Sequence, residues 1–274
     1  MPTLRVKSLA SGSSGNAYLF WSGDEALLID AGIPLRAIQA ELARIPGRPR
    51  LVGLGLTHEH ADHAAAAGAV CRRYDVPLIA SPGTLAGLYR SGLRAEGVSQ
   101  PVGTTLAVGS FLVTSFGLPH DACQPVGYLV GLGPWRVALA VDLGQSCEEL
   151  VWALRQADLI ILDSNHDLRR LLAGPYSSRL KARIAAPSGH LSNEQAAQIL
   201  LQVADGRPRT VWLAHLSAVN NSPRLARRTV LQVFERAGAS PVRVEVALRD
   251  RPSALWSPLE GATQGRFDFG PGLA

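Results

Sequence analysis

The chain has 274 residues, 47% of them apolar and 18% charged, which gives it enough to bury a sizeable core and excludes wholesale disorder. Its apolar runs, such as Val137–Val141, fall far short of a bilayer span. Its three cysteines, Cys71, Cys123 and Cys147, form no C-x-x-C pair, which argues against a zinc ribbon, a redox dithiol or a disulfide framework. The net charge of +5 rests on arginine, because of 27 basic residues only Lys7 and Lys181 are lysines. A GC-rich genome produces that bias, and so does a surface for polyanions, since guanidinium forks match phosphate oxygens. Met1–Ala10 is charged and lacks an apolar h-region, so the expectation is a cytoplasmic protein without an export signal.

In chain order, a strand is predicted over Leu4–Leu9, then the small-residue loop Ser11–Asn16, then a strand over Ala17–Trp21. From there one pattern recurs: a short apolar run ends at a polar residue of catalytic type. Ala26–Ile29 leads to Asp30, Leu51–Leu56 to Thr57 and His58, Phe111–Phe116 to His120, and Val137–Val141 to Asp142. Leu159–Leu162 leads to Asp163 and Val211–Ala214 to His215. Short runs rich in Val, Ile and Leu read as buried strands, and reactive residues at many strand ends imply one shared rim. Helical spacing marks Leu35–Ile45 and Ala64–Tyr74. Ser146 with Glu149, and Ser192 with Gln195, have capping-box spacing, while Ser222-Pro223 opens a further helix that Gly238 ends. Residues 1–248 read as one α/β domain, and the Pro/Gly-rich stretch 249–274 as a tail without a period.

The densest signal is Thr57-His58-Glu59-His60-Ala61-Asp62-His63. In an extended loop, positions i, i+2 and i+4 share a side, which puts His58, His60 and Asp62 together; His63, opening the next helix, swings to the same spot. These ligands exceed what one tetrahedral ion takes from so short a segment. Two ions are therefore expected, with further ligands from His120, Asp142 and His215 at other strand ends.

This string resembles the signature of the metallo-β-lactamase superfamily, and Leu28-Ile29-Asp30-Ala31-Gly32, His120, Asp142 and His215 resemble its other motifs in order. The resemblance implies an αβ/βα four-layer sandwich, two facing mixed β-sheets flanked by helices, with two metals at one edge. It implies that His58, His60 and His120 hold the first metal, that Asp62, His63 and His215 hold the second, and that Asp142 bridges them. Asp30 would brace the histidine loop by hydrogen bonds. Four further segments resemble one subgroup, the YycJ/WalJ-like exonucleases: 8–16, 162–167, 188–193, and Ala214-His215-Leu216-Ser217 with Asn220-Asn221. Asp163 stands where many of those relatives carry Glu. The subgroup implies a dinuclear metal-dependent phosphodiesterase, a 5′→3′ DNA exonuclease of DNA repair, in which a hydroxide bridging two Zn²⁺ or Mn²⁺ ions attacks phosphorus. Asp62 would orient the hydroxide, His190 would protonate the leaving oxygen, and Asp163 would assist.

Other residues have more than one reading. Ser13, Ser14 and Asn16 lie in a loop whose backbone N–H groups either approach a substrate anion or form a plain tight turn. His190 precedes the helix capped by Ser192, whose positive end favours a phosphate. His166 touches substrate, bonds Asp163 or is a turn residue. Arg169, Arg170, Arg179, Lys181 and Arg183 occur without an intervening acid, as a solvated face or as contacts to a nucleic-acid backbone. DNA is the expected partner and no membrane is. The alternatives are a (thio)ester hydrolase of the glyoxalase II type, which shares the H-x-H-x-D-H string, an RNA-processing nuclease, and a non-catalytic DNA-end binder.

Overall fold

The computed structural model describes residues 3–92, 97–239 and 242–258. The first half of the chain builds one sheet from β1 (Arg5–Ala10), β2 (Ala17–Ser22), β3 (Glu25–Ile29), β4 (Arg50–Gly55), β5 (Leu78–Ala80) and β6 (Gly97–Ser99), neighbours in that order. The second half builds another from β7 (Thr105–Val108), β8 (Phe111–Gly117), β9 (Val126–Leu132), β10 (Trp135–Ala140), β11 (Leu159–Asp163), β12 (Thr210–Ala214) and β13 (Arg243–Val246). A last short strand, β14 (Leu255–Trp256), returns to the first sheet beside β1.

Each sheet starts antiparallel and turns parallel, the first at the β3–β4 pair and the second at the β10–β11 pair. Parallel neighbours need crossovers, and helices supply them. On the first sheet these include α1 (Leu35–Arg44), α2 (Ala61–Ala64), α3 (Ala67–Tyr74) and α4 (Pro82–Arg90). On the second they include α5 (Glu148–Gln156), α6 (Leu168–Ala173), α7 (Ser178–Ile184), α8 (Asn193–Gln202) and α9 (Pro223–Arg236). The strand period of two assigns the core. Val137 and Leu139 of β10 join Phe20, Ile29, Tyr128 and Trp212 between the sheets, whereas Ala138 and Ala140 face the helices with Leu150, Leu200 and Val230. The first sheet packs Leu28 and Leu54 against Ile38, Leu42 and Val70 in the same way. The result is the four-layer sandwich expected from the sequence.

Three local expectations differ from the structure. The helix predicted over Ala64–Tyr74 starts earlier and is broken into α2 and α3, because its backbone groups are taken elsewhere. The Asp62 carbonyl accepts the Asn16 N–H at 2.7 Å, the His63 carbonyl accepts the Ala31 N–H at 2.7 Å, and the Ala66 N–H donates to Ala31 O at 2.8 Å. The capping box at Ser146 is absent: α5 begins one residue later, at a Cys147 cap without a side-chain bond, and Glu148 and Glu149 occupy its first turn. The box at Ser192 and the cap at Ser222 form as expected, since Ser192 with Gln195 makes both arms and Ser222 accepts the Leu225 N–H ahead of Pro223.

The third difference concerns the stretch read as a tail from 249. Ser11 N–H donates to Leu248 O at 2.9 Å, Ser8 exchanges bonds with Ala254 and Ser253, and Val6 pairs with Trp256. The segment through β14 is therefore part of the folded unit, while 259–274 lies outside the described residues.

Candidate metal centre

The site is assembled at strand ends by an unfavourable backbone conformation. Asp30 follows β3, Asp142 lies just past β10 and His215 follows β12, and all three are left-handed, with φ of 61°, 58° and 55°. L-residues rarely adopt this state unless their surroundings enforce it. Here hydrogen bonds do so: Asp30 N–H to Gly55 O at 2.8 Å, Asp142 N–H to Asp163 Oδ2 at 3.0 Å, and His215 N–H to Ser11 Oγ at 2.8 Å. Each turn sends a side chain off the sheet edge onto the common rim.

Two ligand groups meet there. His58, His60 and His120 form one; Asp62, His63, Asp142 and His215 form the other. Asp142 touches both, with Oδ2 at 2.7 Å from His63 Nε2 and 3.4 Å from His58 Nε2, and Oδ1 at 2.9 Å from His215 Nδ1. A third overlapping group adds Asp163 and His190 to Asp142 and His215. The extended-loop reading of His58, His60 and Asp62 on one side does not hold. His60 is the N-cap of α2, so the period of two ends there and helical rotation aims Asp62 and His63 at the neighbouring group.

Several imidazoles have their far nitrogen occupied, which sets ring orientation. His63 Nδ1 lies 2.8 Å from Asp30 Oδ2, His58 Nδ1 3.0 Å from Thr57 Oγ1, and His120 Nδ1 3.2 Å from Gly189 O. Asp30 in turn accepts the Thr57 N–H at 2.9 Å. Burial and the neighbouring His63 hold the His58 imidazole well below its ordinary pKa, in the neutral form. Burial would also lower His63 and His215, but carboxylates outweigh it: Asp30 and Asp142 push His63 well up, and Asp142 and Asp62 push His215 up to about 10. Burial opposes ionisation of Asp142, yet His215 and His63 hold its carboxyl well below the usual range.

Buried Asp163 Oδ1 and His215 Nε2 have no hydrogen-bond partner, and Asp142 Oδ1, though 2.9 Å from His215 Nδ1, is not aligned for a hydrogen bond. Buried polar atoms are rarely left so, and a mixed set of imidazole and carboxylate donors fits divalent cations of the zinc and manganese type.

The metallo-beta-lactamase superfamily model matches residues 10–215. The chain belongs to the metallo-beta-lactamase superfamily. It is 33% identical over 257 residues to the exodeoxyribonuclease WalJ of Streptococcus pneumoniae serotype 2 (strain D39 / NCTC 7466), covering 92% of this chain and 95% of that protein. It is 34% identical over 239 residues to the exodeoxyribonuclease YycJ of Bacillus anthracis, covering 86% and 90%. Among solved structures, the metallo-beta-lactamase fold protein YhfI from Bacillus subtilis superposes with a TM-score of 0.71 at 18% identity, over 94% of this chain and 100% of that one. This member of the metallo-beta-lactamase superfamily is thus a metal-dependent hydrolase, and no helix among its described residues is long and apolar enough to cross a membrane.

In this superfamily member a cleft of about 280 Å³ opens over the ligand groups. Ser13, His60, Asp62, His120, His190 and His215 line it. His190 Nδ1 lies 3.1 Å from Asp163 Oδ2, and its ring stacks on His215 with centroids 5.0 Å apart. Asp163 is fully buried, so it acts on the cleft through the groups it holds, Asp142 N–H and His190.

Two residues expected to contact substrate are placed otherwise. Asn16 is sealed from solvent and spends its amide on Gly12, Asp62 O and His63 Nε2, so it ties the Ser/Gly loop to the ligands. His166 is 1% exposed; its backbone pairs with Ser192, and burial pushes its imidazole down to about 4. Ser14 is exposed outside the cleft lining, and Arg169 and Arg170 are exposed on α6, also outside it. Sequence reasoning missed Asn165, which donates to His215 O at 2.9 Å, and Asp121, Tyr176, Leu180 and Ser217 in the lining. Asp121 adjoins His120, and Asn165 and Ser217 lie in segments that resemble the exonuclease subgroup, but no spacing rule points to Tyr176 or Leu180.

Proposed function

We propose that the protein is a dinuclear metal-dependent phosphodiesterase that degrades DNA from an end, in the 5′→3′ direction, as part of cytoplasmic DNA repair. The observation that carries the reading is the meeting of two ligand groups at Asp142 on the floor of an open cleft. Kinship over most of the chain with two exodeoxyribonucleases supports DNA as substrate, and the direction follows from the motif resemblance. In this reading His58, His60 and His120 hold one ion, Asp62, His63 and His215 the other, and Asp142 both. Two divalent ions, Zn²⁺ or Mn²⁺, would there supply Lewis acidity toward phosphoryl oxygens and a nucleophile drawn from water at neutral pH.

The chain's own groups complete the chemistry. Asp62 Oδ2 stands 3.6 Å from His215 Nε2 and 3.7 Å from His63 Nε2, and the side chain is 26% exposed, so one carboxylate oxygen can orient the attacking water. His190, with Nδ1 held by Asp163, has Nε2 available for the leaving oxygen, and it is 20% exposed at the cleft. The exposed arginines of α6 and α7 give the rim the charge that draws in a polyanion. The test is digestion of end-labelled single- and double-stranded DNA and RNA with Zn²⁺ and Mn²⁺ in turn, against a chelated control. Stepwise release of nucleotides from labelled 5′ ends of DNA is expected. Hydrolysis of thioesters without any nucleic-acid cleavage overturns the reading.

A further inference from the structure

One wall of the cleft differs from its floor. α7 has no buried residue. Leu180 is 38% exposed, and together with Tyr176 and Ile184 it lines the cleft beside the metal-binding side chains. Polar ties hold the helix in place: Lys181 Nζ donates to Leu172 O at 2.6 Å, the His190 N–H donates to Ile184 O at 2.9 Å, and Arg183 pairs with Asp121 at 2.8 Å. The apolar surface of this wall therefore has no partner within the described residues, although it stands in an otherwise polar site. The segment carrying it, 168–186, contains Arg169, Arg170, Arg179, Lys181 and Arg183 and no acid, so even with Arg183 paired to Asp121 its net charge complements an anion. An occupant that is flat and apolar in one part and anionic in another meets both requirements. The cleft volume, about 280 Å³, lies at the small end of ligand sites and suits one nucleotide rather than a stacked pair.

We infer that this wall is the platform for the base of the terminal nucleotide, with Tyr176 as its aromatic face, Leu180 as its apolar edge, and Arg183 beside the adjoining phosphate. The inference rests on the nuclease reading and deepens it: the strand end enters unpaired, one nucleotide at a time, and is gripped by stacking without regard to sequence.

The experiment uses the full metal-loaded chain and a single-stranded oligodeoxynucleotide whose attacked end carries either a normal or an abasic residue. Wild type, Tyr176→Ala and Tyr176→Trp are compared at matched metal content. For wild type, KM should rise on the order of ten-fold when the terminal base is missing, the usual worth of one aromatic–base stack. Tyr176→Ala should show that rise with the normal end and little further rise with the abasic end, and Tyr176→Trp should restore binding of the normal end. Equal KM values for wild type on the two ends overturn the inference while leaving the nuclease reading intact, and this arm needs no variant to fold. Losses from Tyr176→Ala and from the abasic end that simply multiply overturn it too. A dimer that dissociates on Tyr176→Ala assigns the wall to a second copy instead. Failure to cut any nucleic acid while a small phosphodiester is hydrolysed overturns the nuclease reading and this inference with it.

Discussion

His63 Nδ1 stands 2.8 Å from Asp30 Oδ2, and both side chains are sealed from solvent. The carboxylate makes Nδ1 the donor and so fixes the ring with Nε2 in the ligand group, 2.7 Å from Asp142 Oδ2. Asp30→Asn keeps the size but offers an amide that can donate to His63 and reverse its tautomer. Metal affinity should fall about 10–100-fold, the usual effect of such a change behind a ligand, with the fold kept. Competition against a chromophoric chelator measures it, and unchanged affinity would refute the brace.

Gly32 tests how the site is locked to the loop after β3. A Cβ there would lie 1.7 Å from the Asp62 carbonyl oxygen, which itself accepts the Asn16 N–H at 2.7 Å. The obstacle is backbone on both sides, so it has little room to yield. Gly32→Ala should cost about 1–3 kcal/mol and displace Asp62 and His63 from the second ligand group. Melting with and without added metal should show a lower Tm and a smaller gain from the metal than in wild type.

The carboxylates around His215 give the metal-free protein a distinctive pH dependence. Its imidazole titrates at about 10 in the fold, because Asp142 and Asp62 outweigh burial, against about 6.5 when unfolded. A raised folded pKa stabilises fully below the unfolded value, and that stabilisation is lost as pH rises through the folded one. The Tm of metal-free protein should therefore fall between about pH 7 and pH 10.5. Bound metal takes the proton's place, so loaded protein should instead lose stability on acidification, when ligand protonation releases the ion. Melting curves from pH 5 to 11 with and without chelator check the opposite slopes; parallel curves would count against ligation by His215.

His190 is held by Asp163 and is not needed to complete either principal ligand group. His190→Ala should keep about two metal equivalents and lose roughly 10²–10⁴-fold on DNA, the worth of a general acid. Hydrolysis of bis-nitrophenyl phosphate should suffer far less, because nitrophenolate departs without a proton. Equal losses with metals intact would make His190 a phosphate ligand or a shaper of the site.

The strand ends were legible because buried parallel strands are short apolar runs and reactive residues stand out where those runs stop. That rule alone located Asp30, His58, His120, Asp142, Asp163 and His215. Spacing also announced the helix starts at Ser192 and Ser222, since a cap is a contact between residues three apart. What sequence periodicity could not contain was competition for backbone groups over long separations. Asn16 and Ala31 take the carbonyls of Asp62 and His63, which breaks the expected helix and splits the histidine string between two ligand groups. The same long reach brings β14 to β1, though no local pattern marks it, because two residues of strand are defined only by the partner they pair with. It likewise turns Asn16 and His166 inward from a loop and a turn that looked open to substrate. The sequence by itself determined which residue types stand at the rim. Only the tertiary structure decided which of them cluster closely enough to share an ion, which brace the others, and that an apolar wall from α7 stands beside them, because those relations are made across sheets and between residues tens to more than a hundred positions apart.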